Sequence, residues 1–254
     1  MQLDDAARDA LDCFFDNGLV SEILFEVKSG KEATVYCCRG GDASGSLAAA
    51  KVYRPIESRR FKNDSIYLAG RMHMARNSRA RRAALAHSEF GRDVQYATWI
   101  DNEWELLHRL SAAGADVPAP IARGERAILM PFLGDVRAAA PMLSDVTLDR
   151  ETVRHGGSSS SDVLARLLWN IELMLDCHVV HGDLSPFNIL FHEKLAIIID
   201  LPQAIDPRLN PAAFQLLARD VENISTWAKR HGVTFEAARF ATSLWQRFVN
   251  GEIG

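Results

Sequence analysis

The chain has 254 residues, of which 48% are hydrophobic and 24% are charged, and its formal net charge is −4. This composition is that of a globular protein with room for one large or two small domains, and its acidic balance argues against general nucleic-acid binding. Because it lacks a membrane-length apolar run, a signal-peptide pattern and a Cys-x-x-Cys pair, we expect a reduced, cytoplasmic protein with no membrane partner.

Apolar periodicity predicts the elements of the first half in chain order. A helix over residues 4–17, ended by Asn17-Gly18, comes first. Alternating apolar residues then predict five strands, with a hairpin turn over 40–45 after the second: 23–27, 33–37, 47–53, 121–123 and 127–130. A helix over 94–113 precedes the last two of these strands.

The second half is predicted to be mainly helical. From about Gly134 the composition favours helix, and Ser161 is the expected cap of a helix that runs to about Cys177. Two short strands and then two helices follow: 188–192, 195–200, 211–230 and 235–250.

This order of elements predicts an α+β fold of two lobes with a cleft between them. We expect an N-terminal helix over 1–22 packing on a β-rich lobe over 23–133, and a mainly helical lobe over 134–254. A mobile basic insert is expected over about 57–93, where basic residues crowd together: Arg59, Arg60, Lys62, Arg71, Arg76, Arg79, Arg81 and Arg82. It is interpreted either as a guide for a phosphorylated or nucleic-acid-bearing partner or as a solvated loop without one.

The decapeptide His181–Leu190 carries the strongest functional signal. It places Asp183 and Asn188 five residues apart, and Asp200 follows an apolar run after them. In phosphoryl transfer, one carboxylate receives or orients the proton of the nucleophile, while an amide oxygen and a second carboxylate hold magnesium on the nucleotide phosphates. The ordered set therefore predicts a phosphoryl-transfer site, with a surface turn beside a core strand as the alternative.

Three features of the first half are predicted to hold the nucleotide phosphates. Backbone N–H groups of the turn Ser29–Val35 can point at phosphate oxygens, although a plain hairpin turn is the alternative. Lys51 lies in an apolar strand, where an ammonium needs a partner or must reach solvent. Glu103 on the following helix can be that partner, which would aim Lys51 at the α/β-phosphates. The alternative for Glu103 is an ordinary solvated helix face.

The junction Ile128–Gly134 fits adenine recognition by backbone groups. Pro131 keeps a carbonyl that can accept from the adenine amino group, and the N–H of Leu133 can donate to the ring. The candidate nucleotide-binding residues are therefore Ser29, Gly30, Lys31, Val35, Lys51, Glu103, Met130, Pro131, Leu133, Leu190 and Ile199.

Taken together, these parts resemble the RIO family of atypical protein kinases over about residues 5–232. The stretches that carry the resemblance are Ser29–Tyr36, Ala50–Tyr53, Met130–Gly134, His181–Asn188, Asp200–Ala204 and Arg219–Ile224. The family reads Asp-x-x-Gln-Ala or Asp-x-x-Gln-Ser at the fifth of these, as here. Two departures are a Gly at 182 and a Pro at 186, where many members carry Ala and Glu.

The resemblance implies a protein-kinase-like fold with the ATP cleft between the lobes. It implies that Asp183 is the catalytic Asp, that Asn188 and Asp200 bind the metal, and that Lys51 binds phosphate while paired with Glu103. The implied cofactors are ATP and Mg²⁺, with Mn²⁺ as a substitute. The implied activity is phosphorylation of Ser in proteins, including the chain itself.

Two other functions remain open from the sequence. A small-molecule phosphotransferase of the aminoglycoside or choline kinase type also uses a His-Gly-Asp-x-x-x-x-Asn loop, and Gly182 and Pro186 favour it. It lacks the Ser-Gly-Lys-Glu-Ala turn. A nucleotide-gated binding module, in which ATP binding and slow hydrolysis switch association with a ribosomal particle, would use the same nucleotide-binding residues.

Overall fold

The structure is a computed structural model that describes residues 5–42, 45–54, 89–148 and 158–254, with side chains from residue 100 onward in the helix that begins at Glu89. The basic insert predicted over 57–93 lies outside the described residues, apart from the backbone of that helix start. The described residues form two compact units. The first draws on 5–42, 45–54, 89–108 and 118–140, and the second on 109–117, 141–148 and 158–254.

The first unit is built on a five-stranded antiparallel sheet. Its strands lie in the order β1-β2-β3-β5-β4 and have these bounds: β1 Val20–Ser29, β2 Ala33–Gly40, β3 Leu47–Tyr53, β4 Ala122–Arg123 and β5 Ala127–Pro131. The helices α1 (Asp5–Asp16) and α2 (Glu89–Ala112) precede and interrupt the strands in sequence. The five strands predicted from alternating apolar residues are thus present.

Helix α1 covers one face of this sheet. Its buried side chains include Leu11 and Phe14, which pack with Tyr36, Val52 and Leu129. Gly18 ends the helical turn in the left-handed region at φ 65°, as the Asn17-Gly18 pair predicted. Because side chains alternate along a strand, the residues next to these buried ones face the other side of the sheet.

The second unit is mainly helical, with one small hairpin. Its elements are α3 (Ser160–Asp176), β6 (Ile189–His192), β7 (Leu195–Ile198), α4 (Ala213–Arg230) and α5 (Ala237–Val249), with short 3-10 turns at Leu143–Asp145 and Pro186–Asn188. Helix α3 buries residues at helical spacing, including Leu164, Leu167, Ile171 and Leu175. None of the helices in the described ranges combines the length and apolar content needed to cross a bilayer.

Two expectations for the start of the second half were wrong. Ser159, not Ser161, caps α3: its hydroxyl accepts the N–H of Asp162 at 3.1 Å, and the Asp162 carboxylate accepts the N–H of Ser159 at 3.2 Å. This reciprocal pairing satisfies two donors at once, which favours the earlier serine. Between Gly134 and the end of the described stretch at 148 the chain forms bridges and one 3-10 turn, not an α-helix.

Candidate functional site

Lys51 and Glu103 form an ion pair in the first unit. The Lys51 Nζ lies 2.7 Å from Glu103 Oε1, and the side chains are 12% and 2% exposed. Tyr53 donates its hydroxyl to the other Glu103 oxygen, and the Lys51 ammonium lies 5.4 Å from the centre of the Tyr53 ring. A buried carboxylate held by two donors fixes the direction of the ammonium. The sequence predicted the pairing of Lys51 with Glu103, but it did not predict that Tyr53 donates to the same carboxylate.

The sheet face that carries Lys51 is apolar and only partly covered. Val35 lies directly opposite Lys51 in the β2–β3 register, and Met130 lies opposite Ala49 in the β3–β5 register. These side chains therefore share one face. Val35 and Met130 are half-buried, as is Val27 on β1. The predicted nucleotide-binding residues Val35, Lys51 and Met130 thus lie side by side, on the face opposite α1.

The predicted phosphate turn is a tight hairpin turn. The N–H of Gly30 donates to the carbonyl oxygen of Ala33 at 2.9 Å, which closes the turn. Lys31 at its tip is exposed. Ser29 pairs with Thr34, and their hydroxyl oxygens are 3.4 Å apart. Since Thr34 alternates with Val35, the Ser29 hydroxyl belongs to the α1 side of the sheet, away from Lys51.

Arg54 holds this hairpin in place. Its guanidinium donates to the Ser29 hydroxyl and, at 3.2 Å, to the Thr34 hydroxyl, and its backbone N–H donates to the Glu32 carbonyl at 2.8 Å. One residue at the end of β3 therefore fixes both strands and the turn. Sequence reasoning missed Arg54, because its partners are 20 and 25 residues away along the chain.

The predicted adenine junction continues β5. Pro131 lies opposite Ala48, and the next N–H, that of Phe132, donates to the Leu47 carbonyl at 3.1 Å. Because hydrogen-bonded pairs alternate along an antiparallel ladder, the Pro131 carbonyl faces away from β3. The Pro131 carbonyl is therefore not used in pairing with β3. This agrees with its predicted role as the acceptor for the adenine amino group.

The residues after Pro131 form a constrained turn. The carbonyl of Leu133 accepts the Ala140 N–H at 2.8 Å. Gly134 has φ 145°, and a Cβ there would lie 2.4 Å from the Ala138 carbonyl oxygen, so the turn requires glycine. The Asp135 carboxylate accepts two backbone N–H groups, which lower the pKa of this carboxyl.

In the second unit, Asn188 is bonded to Asp183. The Asn188 side-chain nitrogen donates to the Asp183 backbone carbonyl at 2.9 Å and to its carboxylate at 3.3 Å. Both bonds use the amide nitrogen of Asn188, so its amide oxygen points away from Asp183. An oxygen is the atom that a magnesium ligand must present. The 3-10 turn Pro186–Asn188, closed by the Asn188 N–H on the Ser185 carbonyl at 2.9 Å, sets this geometry.

Buried His181 connects this loop to the strand end before Asp200. Its Nε2 lies 3.2 Å from the Ile199 carbonyl oxygen, and its Nδ1 accepts the Asp183 N–H at 3.3 Å. Burial lowers the pKa of His181, which favours the neutral ring that one donor and one acceptor nitrogen require. Ile199 in turn donates its N–H to the Asn188 carbonyl at 2.9 Å.

Helix α4 holds the loop that begins at His181 through several hydrogen bonds. The carboxylate of Asp220, 2% exposed, accepts the N–H groups of Gly182 at 2.8 Å and Leu184 at 3.0 Å. Arg219 donates to the Gly182 carbonyl, and Asn223 donates to the Leu184 carbonyl at 2.9 Å. Burial raises the pKa of Asp220 to about 7, against the opposing effect of its two N–H donors. The sequence marked the Arg-Asp-Val-Glu-Asn stretch, but only the fold reveals its contacts.

Asp200 is exposed and strained. Its φ of 69° is in the left-handed region, which is uncommon for a residue other than glycine and clusters at functional sites. The half-buried Leu190 and Ile199 share the more open side of the β6–β7 hairpin, because Leu190 lies opposite Ile197. The two predicted apolar contacts are thus on one face next to Asp200.

The oxygen donors of Asn188 and Asp200 fit a magnesium site that a nucleotide completes. Among the described residues, no three His, Cys, Asp or Glu side chains gather into a metal cluster. Magnesium is usually held by one or two protein oxygens together with phosphates and waters, so two ligands suffice.

Known proteins with similar sequences are kinases of one family. A family model described as the RIO domain matches residues 34–240. The serine/threonine-protein kinase rio1 of Schizosaccharomyces pombe is 30% identical over 232 residues, covering 90% of this chain and 42% of the relative. The RIO-type serine/threonine-protein kinase Rio1 of Haloferax volcanii is 29% identical over 251 residues, covering 99% of this chain and 77% of the relative. The chain thus spans less than half the length of the fungal relative.

The fold is also that of a solved kinase. The crystal structure of the Rio2 kinase from Chaetomium thermophilum matches with a TM-score of 0.66 at 21% identity, covering 94% of this chain and 69% of that one. The protein-kinase-like α+β fold predicted from the sequence is thereby confirmed. Because the RIO domain model matches most of its length, the chain belongs to the RIO family.

Proposed function

We propose that this chain is an ATP- and Mg²⁺-dependent serine/threonine protein kinase of the RIO type. One observation carries the proposal: the Asn188 amide nitrogen is bonded to Asp183, while His181 bonds both the Asp183 N–H and the strand end before Asp200. These bonds support the proposal because they fix the chain around Asp183 and Asn188 and the strand end before Asp200, and phosphoryl transfer depends on such preorganisation.

Each residue has a distinct role in this proposal. The Asp183 carboxylate orients the serine hydroxyl and accepts its proton as the phosphoryl group is transferred. The Lys51 ammonium, aimed by Glu103, binds the α/β-phosphates, and Asn188 and Asp200 hold magnesium through their oxygens. Bound Mg²⁺ supplies charge neutralisation at the phosphates. Val35, Met130, Leu190 and Ile199 provide apolar contacts to adenine, and the Pro131 carbonyl and Leu133 N–H pair with its edge.

The test is incubation with γ-labelled ATP and Mg²⁺, alone and with a cell extract, followed by mapping of the label. We expect label on serine in the chain itself and in a protein of the extract. A parallel panel of aminoglycosides and choline tests the small-molecule alternative. Label on a small molecule with none on protein would contradict the proposal in favour of that alternative.

Asp200 is also the best candidate for a phosphorylated intermediate. A second crystal structure of the Chaetomium thermophilum Rio2 kinase is of an ADP/Mg²⁺-phosphoaspartate complex. Here Asp200 is exposed and at a strained φ of 69°. We propose that the γ-phosphoryl group of ATP is transferred to an oxygen of this carboxylate with release of ADP, as a nucleotide-gated switch would use. Hydroxylamine treatment of labelled protein should mark residue 200. Recovery of phosphoserine alone, with no hydroxylamine-sensitive label, would remove the covalent role and leave the metal role.

The proposed partner of the basic insert is a ribosomal or other nucleic-acid-bearing particle. The support is the crowding of basic residues over 57–93 in an otherwise acidic chain. Replacing Arg76, Arg79, Arg81 and Arg82 by Ser should weaken association with purified ribosomal subunits at low salt, and the difference should shrink as salt rises. Equal binding by wild type and variant across the salt range would contradict this proposal.

A cytoplasmic location stays a prediction, consistent with four free cysteines.

A further inference from the structure

Phe187 is a large aromatic side chain that the fold leaves exposed. It is 63% exposed, within the 3-10 turn Pro186–Asn188. Among the side chains that the structure describes, the other exposed aromatic of comparable size is Trp169, which lies under the guanidinium of Arg166 at 4.0 Å. None of the ring contacts found within the described ranges involves Phe187. Its apolar surface therefore faces solvent.

The backbone that carries Phe187 is fixed by hydrogen bonds of the surrounding turn. The Asn188 N–H is bonded to the Ser185 carbonyl at 2.9 Å, and Pro186 has a restricted φ. The Asn188 side chain is bonded to the Asp183 carboxylate at 3.3 Å. Because Phe187 directly precedes Asn188, its Cα lies about 3.8 Å from the Cα of the residue that is bonded to this carboxylate. The exposure is thus built into the same turn that positions the reactive group.

We propose that Phe187 determines substrate specificity by packing on a large apolar side chain of the protein substrate. This inference rests on the proposed kinase function and names a feature of its substrate. A serine hydroxyl that reaches Asp183 brings the residues flanking that serine over this loop. Given the spacing of residues in an extended peptide, the apolar side chain lies within about one to three positions of the serine.

The composition of the loop favours an apolar contact over an ionic one. The segment His181–Leu190 contains no Lys or Arg, and Arg219, a cation that contacts it, already donates to the Gly182 carbonyl. Its carboxylate, Asp183, is engaged by Asn188 and serves the transferred proton. Burial of a Phe ring against an aliphatic side chain is the remaining source of binding energy at this position.

The test compares serine peptides that differ at one flanking position. A set is made with Leu or Ala at each of the three positions on either side of the serine, and kcat/KM is measured with wild type and with Phe187→Ala. Wild type should prefer Leu to Ala at one position by about tenfold, mainly through KM. In Phe187→Ala this ratio should fall to near one, and Phe187→Leu should restore most of it. Val249→Ala, which shortens a 67% exposed side chain on α5, is the matched control and should keep the ratio.

The outcomes separate this inference from the kinase assignment. Labelling of every peptide at one rate by wild type, or a Leu preference that survives in Phe187→Ala, would overturn the role of Phe187 and leave the kinase assignment standing. Failure of wild type to label any peptide or protein would instead remove the proposed function on which the inference rests.

Discussion

The imidazole of His181 lies 3.2 Å from the carbonyl oxygen of Ile199 and so joins two segments that carry the reactive groups. The same ring accepts the N–H of Asp183. Asp183 and Asp200 are therefore positioned by one buried side chain, although they are 17 positions apart in the sequence. This linkage explains why a histidine opens the loop: a neutral imidazole has one donor and one acceptor nitrogen.

His181→Phe should impair transfer and lower stability. Phe fills similar space but leaves the Ile199 carbonyl and the Asp183 N–H without their partner, which costs about 1–3 kcal/mol for each buried group. We expect a lower kcat with a smaller change in ATP affinity, measured by labelling and calorimetry, and a lower free energy of unfolding in urea. His192→Phe on β6, where the native side chain is 29% exposed, is the control. Equal effects of the two substitutions would contradict the linkage.

Asp220→Asn should change how stability depends on pH. Burial raises the pKa of Asp220 from 3.8 to about 7. Between these values the folded chain binds a proton that the unfolded chain has lost, so the free energy of unfolding falls as pH rises. This contribution is complete below the unfolded pKa and is lost above the folded one.

The size of this effect is measurable by urea unfolding. The pKa difference corresponds to a loss of about 4 kcal/mol across the window, and the Asn variant lacks that slope because Asn does not titrate. The Asn variant also keeps only one acceptor oxygen for the Gly182 and Leu184 N–H groups, so a lower kcat is expected. Identical pH slopes for wild type and variant would contradict a raised pKa for Asp220.

Replacing either member of the Lys51–Glu103 pair should lower both stability and phosphoryl transfer. Lys51→Met leaves a carboxylate that is 2% exposed and that, among the described residues, keeps Tyr53 as its remaining donor. Loss of one member of a buried pair costs about 3–5 kcal/mol. Transfer should fall sharply in both Lys51→Met and Glu103→Gln. Tyr53→Phe keeps the pair, loses one hydrogen bond to a charged group, and should cost about 1.5–3 kcal/mol with most transfer retained. Thermal unfolding and labelling of all three variants test this order.

Arg54→Met should weaken ATP binding through the hairpin rather than through direct contact. Loss of the bonds to the Ser29 and Thr34 hydroxyls loosens the turn, so the KM for ATP should rise by about three- to tenfold with kcat little changed. Arg39→Met removes an exposed pair with Glu22 at 3.2 Å and serves as the control. A KM for ATP that is the same in both variants would remove Arg54 from the list of positioning residues.

Local patterns predicted much of the fold and of the site. The glycine that ends α1, the alternation in β2 and β3, and the Asp183–Asn188 spacing are properties of short stretches, so one sequence suffices to read them. The cap of α3 is also a local feature, because Ser159 and Asp162 have the spacing of a capping box, although the prediction of Ser161 is wrong.

Contacts across the chain could not be read in the same way. Arg54 on Ser29 and Thr34, and Tyr53 on Glu103, join residues that are 20 to 50 positions apart. The sequence marks the stretch Arg219–Ile224 only as a resemblance, and the role of Asp220 depends on a packing that buries it against two N–H groups. Such roles follow from tertiary structure, which a local pattern does not encode.

The most direct test of the central claim is phosphoryl transfer by Asp183→Asn. The substitution keeps the shape of the loop but removes the carboxylate that acts on the nucleophile, and this group contributes to the transition state rather than to nucleotide binding. Labelling from γ-labelled ATP should fall by about two to four decades. ATP affinity, measured by calorimetry on the same protein, should stay nearly unchanged. Retention of most of the labelling activity would contradict the assignment of Asp183 and with it the kinase account.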